Sequence, residues 1–339
     1  MTTVGIIANP QSGKDIRRVV AHASTFDNHE KVNIVRRLLA SLDALGVRDV
    51  LMMPDSFNIG QRAIEKTHLS LAVRTLEMAP LFNQADSTHA ARLMAEAGVA
   101  CIITLGGDGT NRAVAKGSGR VPLLPISTGT NNVFPRMVDA TLAGLAAGCV
   151  ATGRVSADDA IRPTRRLDVV RDGEVIDMAL VDIAVYADRF IGARAVWDMS
   201  RVRGIAVTHV APNVIGLSSV PGALPEAIAT GPDYGAWVML GKGGPTVLAA
   251  VAPGDVRPIG IAAFRPLAVG DEISVDAAPA VLALDGEREV SLRQGETLKL
   301  RLSADGPPVI DVEAALRAAA VDGAFVQRRE HERGAVSGA

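Results

Sequence analysis

Ala100-Cys-Ile-Ile-Thr-Leu105, Gly106-Gly-Asp-Gly-Thr110 and Asn111-Arg-Ala-Val-Ala-Lys116 follow one another without interruption, and this stretch decides the fold. The apolar run reads as a buried strand, and Asn111–Lys116 reads as the start of a helix. A strand that breaks into glycines and re-enters a helix brings bare backbone N–H groups close to a ligand. A helix N-terminus favours negative charge, so phosphate is the natural guest. Asp108 in the middle of such a loop would repel a bare phosphate. Its carboxylate makes sense if it holds a magnesium ion or takes a proton from an attacking hydroxyl. The combination points to phosphoryl transfer.

Outward from this stretch, the first half alternates strand-like and helix-like segments. Val4–Ala8, Asp49–Met53, Ala100–Leu105 and Leu123–Ile126 read as strands. Helices are expected around Val35–Leu45, after the capping pair Asp86-Ser87, and over Thr141–Gly148. Alternation of this kind predicts a mostly parallel sheet covered by helices on both faces. From about Arg162 the pattern changes to short apolar runs: Leu167–Arg171, Val175–Val185, Val247–Val251, Glu272–Val275, Val281–Leu284, Glu289–Leu292 and Thr297–Leu302. Asp172-Gly173, Pro253-Gly254-Asp255, Asp285-Gly286 and Asp305-Gly306 punctuate them, as expected for antiparallel hairpins. The fold class expected is therefore α/β: an N-terminal mostly parallel three-layer α/β domain, then a mainly antiparallel β domain. The divisions are 1–150, 151–312, and 313–339 for a C-terminal helix over Val312–Val321 and a frayed tail. Residues 55–85 and 191–240 give no clear pattern.

The chain has 339 residues, enough for two domains, and an ordinary globular balance of 48% apolar and 21% charged residues. A net charge of −2 gives no electrostatic reason to expect nucleic acid. No apolar run reaches the length of a membrane span, and the first residues enter a strand pattern with no basic segment ahead of them. Cys101 and Cys149 cannot build a disulfide framework, and Cys101 reads as an inert core thiol. A cytoplasmic protein is expected, with a small-molecule substrate and self-association into a homo-oligomer.

Three loops follow strands of the first half: Asn9-Pro10-Gln11-Ser12-Gly13-Lys14, Gly106–Thr110, and Ser127-Thr128-Gly129-Thr130-Asn131-Asn132. In a parallel sheet all three emerge at the carboxyl edge, where open α/β sheets bind ligands. Each also has a plainer reading. Asn-Pro before Ser-Gly is an ordinary turn, and Asp15 stands where a Walker A motif needs Ser or Thr. Arg112 stands where a dinucleotide fingerprint needs glycine. Ser127–Asn132 alone could be a polar loop leading into the next helix. Asp285-Gly286-Glu287, between Val281–Leu284 and Glu289–Leu292, reads first as a tight hairpin. The six histidines show no metal-ligand spacing.

At these residues the chain resembles the superfamily that joins NAD kinases, diacylglycerol kinases and sphingosine kinases. Gly106–Thr110 matches its signature, Asn9-Pro10 with Ser12-Gly13 its opening nucleotide loop, and Pro122–Pro135 the third loop of the lipid-kinase branch. Leu284-Asp-Gly-Glu287 with Leu292–Leu300 resembles its late β segment. Asp86-Ser87, Gly106–Arg112 and Asn131–Pro135 together resemble the ATP-NAD kinase-like group that includes acetoin catabolism protein X. The resemblance spans residues 4 to 312 and implies an ATP-dependent kinase using Mg²⁺, with NAD or a related small molecule as acceptor. Asp108 is then the base or metal-organising carboxylate. Asn9, Pro10, Ser12, Gly13, Lys14, Gly106, Gly107, Gly109, Thr110, Asn111, Thr128, Gly129, Thr130, Asn131 and Asn132 are implied on the nucleotide side. Asp182, Asp285, Gly286 and Glu287 are implied to face the acceptor from the β domain. Two positions depart from the pattern: Val181 replaces the asparagine of the NAD-kinase pair, and Val133 replaces the aspartate of the diacylglycerol-kinase third loop. A lipid alcohol as acceptor, or a nucleotide-binding regulator without turnover, are the alternatives.

Overall fold

The structure is a computed structural model and describes residues 2–13, 27–65, 67–129, 132–187, 199–276 and 278–326. Three implied nucleotide-side residues, Lys14, Thr130 and Asn131, lie outside the described residues. The first half builds β1 (Thr3–Ala8), α1 (Asn28–Ala44), β2 (Asp49–Met52), α2 (Ile59–Ile64), β3 (Ala72–Thr75), α3 (Gln84–Glu96), β4 (Cys101–Gly106), α4 (Asp108–Ser118), β5 (Leu123–Ser127) and α5 (Ala140–Ala151). The strands pair in parallel in the order β3-β2-β1-β4-β5, each crossover being helical. β1 and β4 are apolar almost throughout because both faces are covered. One face packs on α1 and α5 through Val35, Leu38, Leu42, Ala143 and Ala147. The other packs on α3 and α4 through Ala90, Met94 and Val114. The helix expected to start at Asp86-Ser87 starts earlier: Asn83 is its N-cap, and Asp86 closes a capping box back onto the N–H of Asn83.

After α6 (Ala157–Ala160) and the two-residue β6 (Ile161–Arg162) the chain turns antiparallel. It runs through β7 (Arg166–Arg171), β8 (Glu174–Ala179), β9 (Asp182–Tyr186), β10 (Val202–Val207), the short helices α7 (Ser219–Gly222) and α8 (Pro225–Ala229), and β11 (Gly235–Leu240). There follow β12 (Thr246–Ala252), β13 (Asp255–Leu267), β14 (Glu272–Val275), β15 (Ala280–Leu284), β16 (Glu287–Leu292) and β17 (Leu298–Ser303). One sheet has the order β12-β13-β11-β10-β9-β15-β16 and the other β14-β17-β7-β8. Leu167, Val169, Ile183, Leu282, Leu300 and Leu302 belong to the shared core of the two. Two of the three expected Asp-Gly hairpins form, with Asp172, Gly173, Asp285 and Gly286 all at positive φ, as a two-residue I′ turn requires; Asp305-Gly306 makes no hairpin, because the chain leaves β17 there for a strand of the first sheet.

Two elements differ from the sequence reading. Val175–Val185, expected as one strand, breaks into β8 and β9, which belong to different sheets. The break at Leu180-Val181 is tied down by a distant carboxylate, described below. The antiparallel region is also bracketed by the first sheet: β18 (Val309–Ile310) pairs parallel with β5 and antiparallel with β6. The last helix, α9 (Val312–Val321), forms where expected and places Ala315 and Ala319 in the same core as α1 and α5.

Candidate functional site

The carboxyl ends of β1, β4 and β5 lie side by side, with Ala8 opposite Leu105 and Gly106 opposite Ser127. Their three loops therefore meet, and side chains tie them together. Asn9 donates from Nδ2 to Oγ1 of Thr110 (2.9 Å), and the hydroxyls of Ser12 and Thr128 share a hydrogen bond of 2.8 Å. Asn132 sits between two glycines: a Cβ at Gly107 would lie 2.8 Å from its Oδ1, and one at Gly129 would lie 2.6 Å from its Nδ2. Those glycines are needed for close approach. Asn132 is held there by donating to Oγ of Ser127 at 2.8 Å. Asn111 faces inward and ties Oγ1 of Thr104 and the carbonyl of Gly107.

Asp108 is the first residue of α4, whose N-cap, Gly107, supplies no capping side chain. The leading N–H groups of α4 are thus left to water or to an anion. The carboxylate of Asp108 is buried and accepts from the N–H of Phe134 at 2.8 Å and of Val133 at 3.1 Å. Burial, reinforced by the neighbouring carboxylate of Asp285 and by Asp182, pushes it up to about 8, although the two N–H bonds pull the other way. Among the described residues no group of three side chains of metal-binding type is gathered. The one carboxylate at this loop, Asp108, offers the hard oxygen that a divalent cation carried on nucleotide phosphates can meet.

The implied acceptor-side residues divide. Glu287 points to the Gly109 turn: a Cβ there would lie 3.0 Å from its Oε1. It helps line a cavity of about 210 Å³ with Asn9, Pro10, Gly109, Thr110 and Gln84. Asp182 is buried and accepts from the hydroxyl of Ser218 at 3.0 Å. Asp285 is spent on the chain itself. Its carboxylate accepts from the N–H groups of Leu180 (2.9 Å), Val181 (2.8 Å) and Asp182 (3.2 Å), the residues where the chain changes sheets. Burial raises its pKa, and Arg112 and the three N–H groups oppose the rise. Gly286 is the second turn residue of the hairpin. Val181 is buried with Met178 and Leu180, against Ala115, Val133 and Phe134. An asparagine side chain there would enter an apolar cluster.

Two cations in the site region escaped the sequence reading. Lys31 is fully buried and donates to the carbonyls of Asn9 (2.9 Å) and Ser12 (2.8 Å), fastening the first loop to α1. Arg112, one turn after Asp108 and 1% exposed, reaches Asp177 at 3.2 Å and Glu289 at 3.0 Å. Its Nε lies 4.0 Å from Asp285. It joins the parallel half to the antiparallel one. The only sequence sign of Arg112 is its spacing of four from Asp108, on the same helix face. Cys101 matches its reading: burial pushes its thiol up to about 12.

Residues 4–155 match the ATP-NAD kinase N-terminal domain, and residues 165–305 match the acetoin catabolism protein X C-terminal domain. The chain is 41% identical over 330 residues to acetoin catabolism protein X of Cupriavidus necator, covering 93% of this chain and 91% of that one. Among solved structures it resembles yeast NADH kinase complexed with NADH at 13% identity and a TM-score of 0.49, over 97% of this chain and 90% of that one. It also resembles a putative diacylglycerol kinase from Bacillus anthracis at 14% identity and a TM-score of 0.44, over 91% and 97%.

Proposed function

The chain belongs to the acetoin catabolism protein X family, with an N-terminal half of the ATP-NAD kinase type, and on that premise we propose that it is an ATP-dependent phosphotransferase acting on an alcohol. One observation carries the reading: three strand-end loops converge on an uncapped helix N-terminus whose first residue is a buried carboxylate. Such a terminus seats phosphate, and such a carboxylate takes a proton. Gly106, Gly107, Gly109 and Thr110 hold the phosphates in this reading. Asn9, Pro10, Ser12, Gly13, Thr128, Gly129 and Asn132 shape the nucleotide side. Asp108 accepts the acceptor's hydroxyl proton as that oxygen bonds to the terminal phosphorus of ATP and ADP departs. Asp108 would also meet a magnesium ion carried on the ATP phosphates, and that ion would supply charge neutralisation. NAD or a related small molecule is the first acceptor to test.

A second reading, nucleotide binding without turnover, has its own support. Both oxygens of Asp108 are engaged by the third loop, and a carboxyl titrating near 8 is mostly protonated at neutral pH. ATP consumption against a panel of NAD, lipid alcohols and small alcohols, at pH 7 and pH 9, separates the two. Turnover with one acceptor, abolished in Asp108→Asn, is expected. ATP binding without consumption at either pH favours the regulator.

A further inference from the structure

The third loop borders more than Asp108. On the side of Val133 and Phe134 opens a cavity of about 1020 Å³, well above the volume beside Gly109 and at the upper end for small-molecule sites. Leu124, Val133, Phe134, Leu180, Leu142 and Leu316 give it apolar walls. Four arginines and two acids share the lining. The acids are matched already: Glu313 pairs with Arg317 at 2.8 Å, and Asp311 lies 3.9 Å from Arg162. Arg136 and Arg165 are left over, with no carboxylate in ion-pair reach of either among the described residues.

Arg165 is anchored rather than free to swing. Its Nη2 donates to the carbonyl of Pro232 at 2.5 Å, while Nη1 is buried with no hydrogen-bond partner among the described residues. Leaving a buried guanidinium N–H unpaired is costly, which favours an acceptor brought beside it. The surrounding field is cationic. His209, also in the lining, is pushed below its ordinary value by burial and then by Arg165 and Arg136. The acid acting on Arg165 is Asp233, which does not pair with it directly.

We infer that this cavity binds a small organic anion with an apolar body, its acidic group held by Arg165 and Arg136 and its body lying along Val133, Phe134 and Leu180. Because the loop forming that wall is the one whose N–H groups hold Asp108, the anion is also the phosphoryl acceptor if the phosphotransferase reading holds. The acceptor class is then a hydroxylated carboxylate or phosphate ester, in place of an uncharged alcohol. The binding claim stands on the cavity alone, and the acceptor claim rests on the phosphotransferase reading.

Titration calorimetry on the full chain without nucleotide tests the binding. Octanoate and octyl phosphate are the anionic probes, distinguishing a carboxylate from a phosphate end, and octanol is the uncharged control. At least one anion is expected to bind at least tenfold more tightly than octanol. Arg165→Met should weaken it by about ten- to a hundredfold, and Arg165→Lys should restore part of the loss. Equal binding of octanol, no binding of either anion, or unchanged anion binding in a folded Arg165→Met protein overturns the proposal. If the anions bind while 8-hydroxyoctanoate stimulates no ATP consumption, the cavity stands and the acceptor assignment falls. ATP consumption supported only by uncharged alcohols leaves the phosphotransferase reading standing and overturns the acceptor assignment.

Discussion

Asp108 carries opposite demands. As a base it must lose its proton, yet burial and the nearby Asp285 hold that proton on to about pH 8. Turnover is therefore expected to rise with pH through about 8, and a flat profile between pH 6 and 9 would remove Asp108 from the proton-transfer step. Asp108→Asn should cut turnover by about 10²–10⁴ while leaving ATP binding in place. The same shift predicts a stability effect of definite sign. A carboxyl raised from 3.8 to about 8 stabilises the fold fully below its unfolded value, and this contribution is lost as pH rises through the folded one. The neutral Asn variant escapes that loss. Its melting temperature relative to wild type should thus climb from pH 5.5 to pH 8.5, and thermal melts at the two values check it. Val181→Asn works against the fold, because Val181 packs in an apolar cluster; it should lower stability by about 1–3 kcal/mol.

At the level of elements, two fastenings connect the hairpin β15–β16 to the rest. Asp285 in its turn accepts the N–H groups freed where β8 ends and β9 begins. Arg112 reaches from α4 to carboxylates on β8 and β16. Removing the guanidinium alone takes its counter-charge from Glu289 and leaves Asp177 with Lys116 only. Arg112→Met is expected to cost about 2–4 kcal/mol by urea unfolding, the range being held down because Asp177 and Glu289 keep some exposure and Lys116 still pairs with Asp177. A loss under 0.5 kcal/mol would show that the junction does not depend on it. Lys31 does the corresponding work for the first loop, since its ammonium bridges the carbonyls at both ends of Asn9–Ser12.

Across the whole molecule, the chain leaves the first sheet after β6 and returns to it as β18, so the antiparallel region is an excursion from the edge of the parallel one. The last helix then covers α5 with alanines small enough for close packing. A fragment of residues 1–155 lacks β6, β18 and α9 and leaves the edge of β5 and the α5 surface that the last helix packs on without their partners. It is expected to show no cooperative thermal transition by circular dichroism, whereas a fragment of 1–155 that melts cooperatively would mean that the returning segment adds little.

Much of this was legible beforehand because it is local. The Gly106–Thr110 stretch declares strand, turn and helix start within a dozen residues, and the Asp-Gly pairs at 172–173 and 285–286 declare their hairpins through the φ values they permit. Parallel pairing then forces the three loops to one edge. What the sequence could not show depends on partners far along the chain. The strand break at Leu180 is invisible in an apolar run, because the carboxylate that satisfies it lies more than a hundred residues later. Asp285 could be read as a turn or as a site residue, and its burial against three N–H groups makes it a fastener. The raised pKa of Asp108, the buried positions of Lys31 and Arg112, and the cavity beside Arg165 are products of desolvation and of charges brought together from separate elements. Sequence sets the periodicity, turn chemistry and phosphate loop, whereas dielectric environment and long-range pairing exist only once the chain has folded.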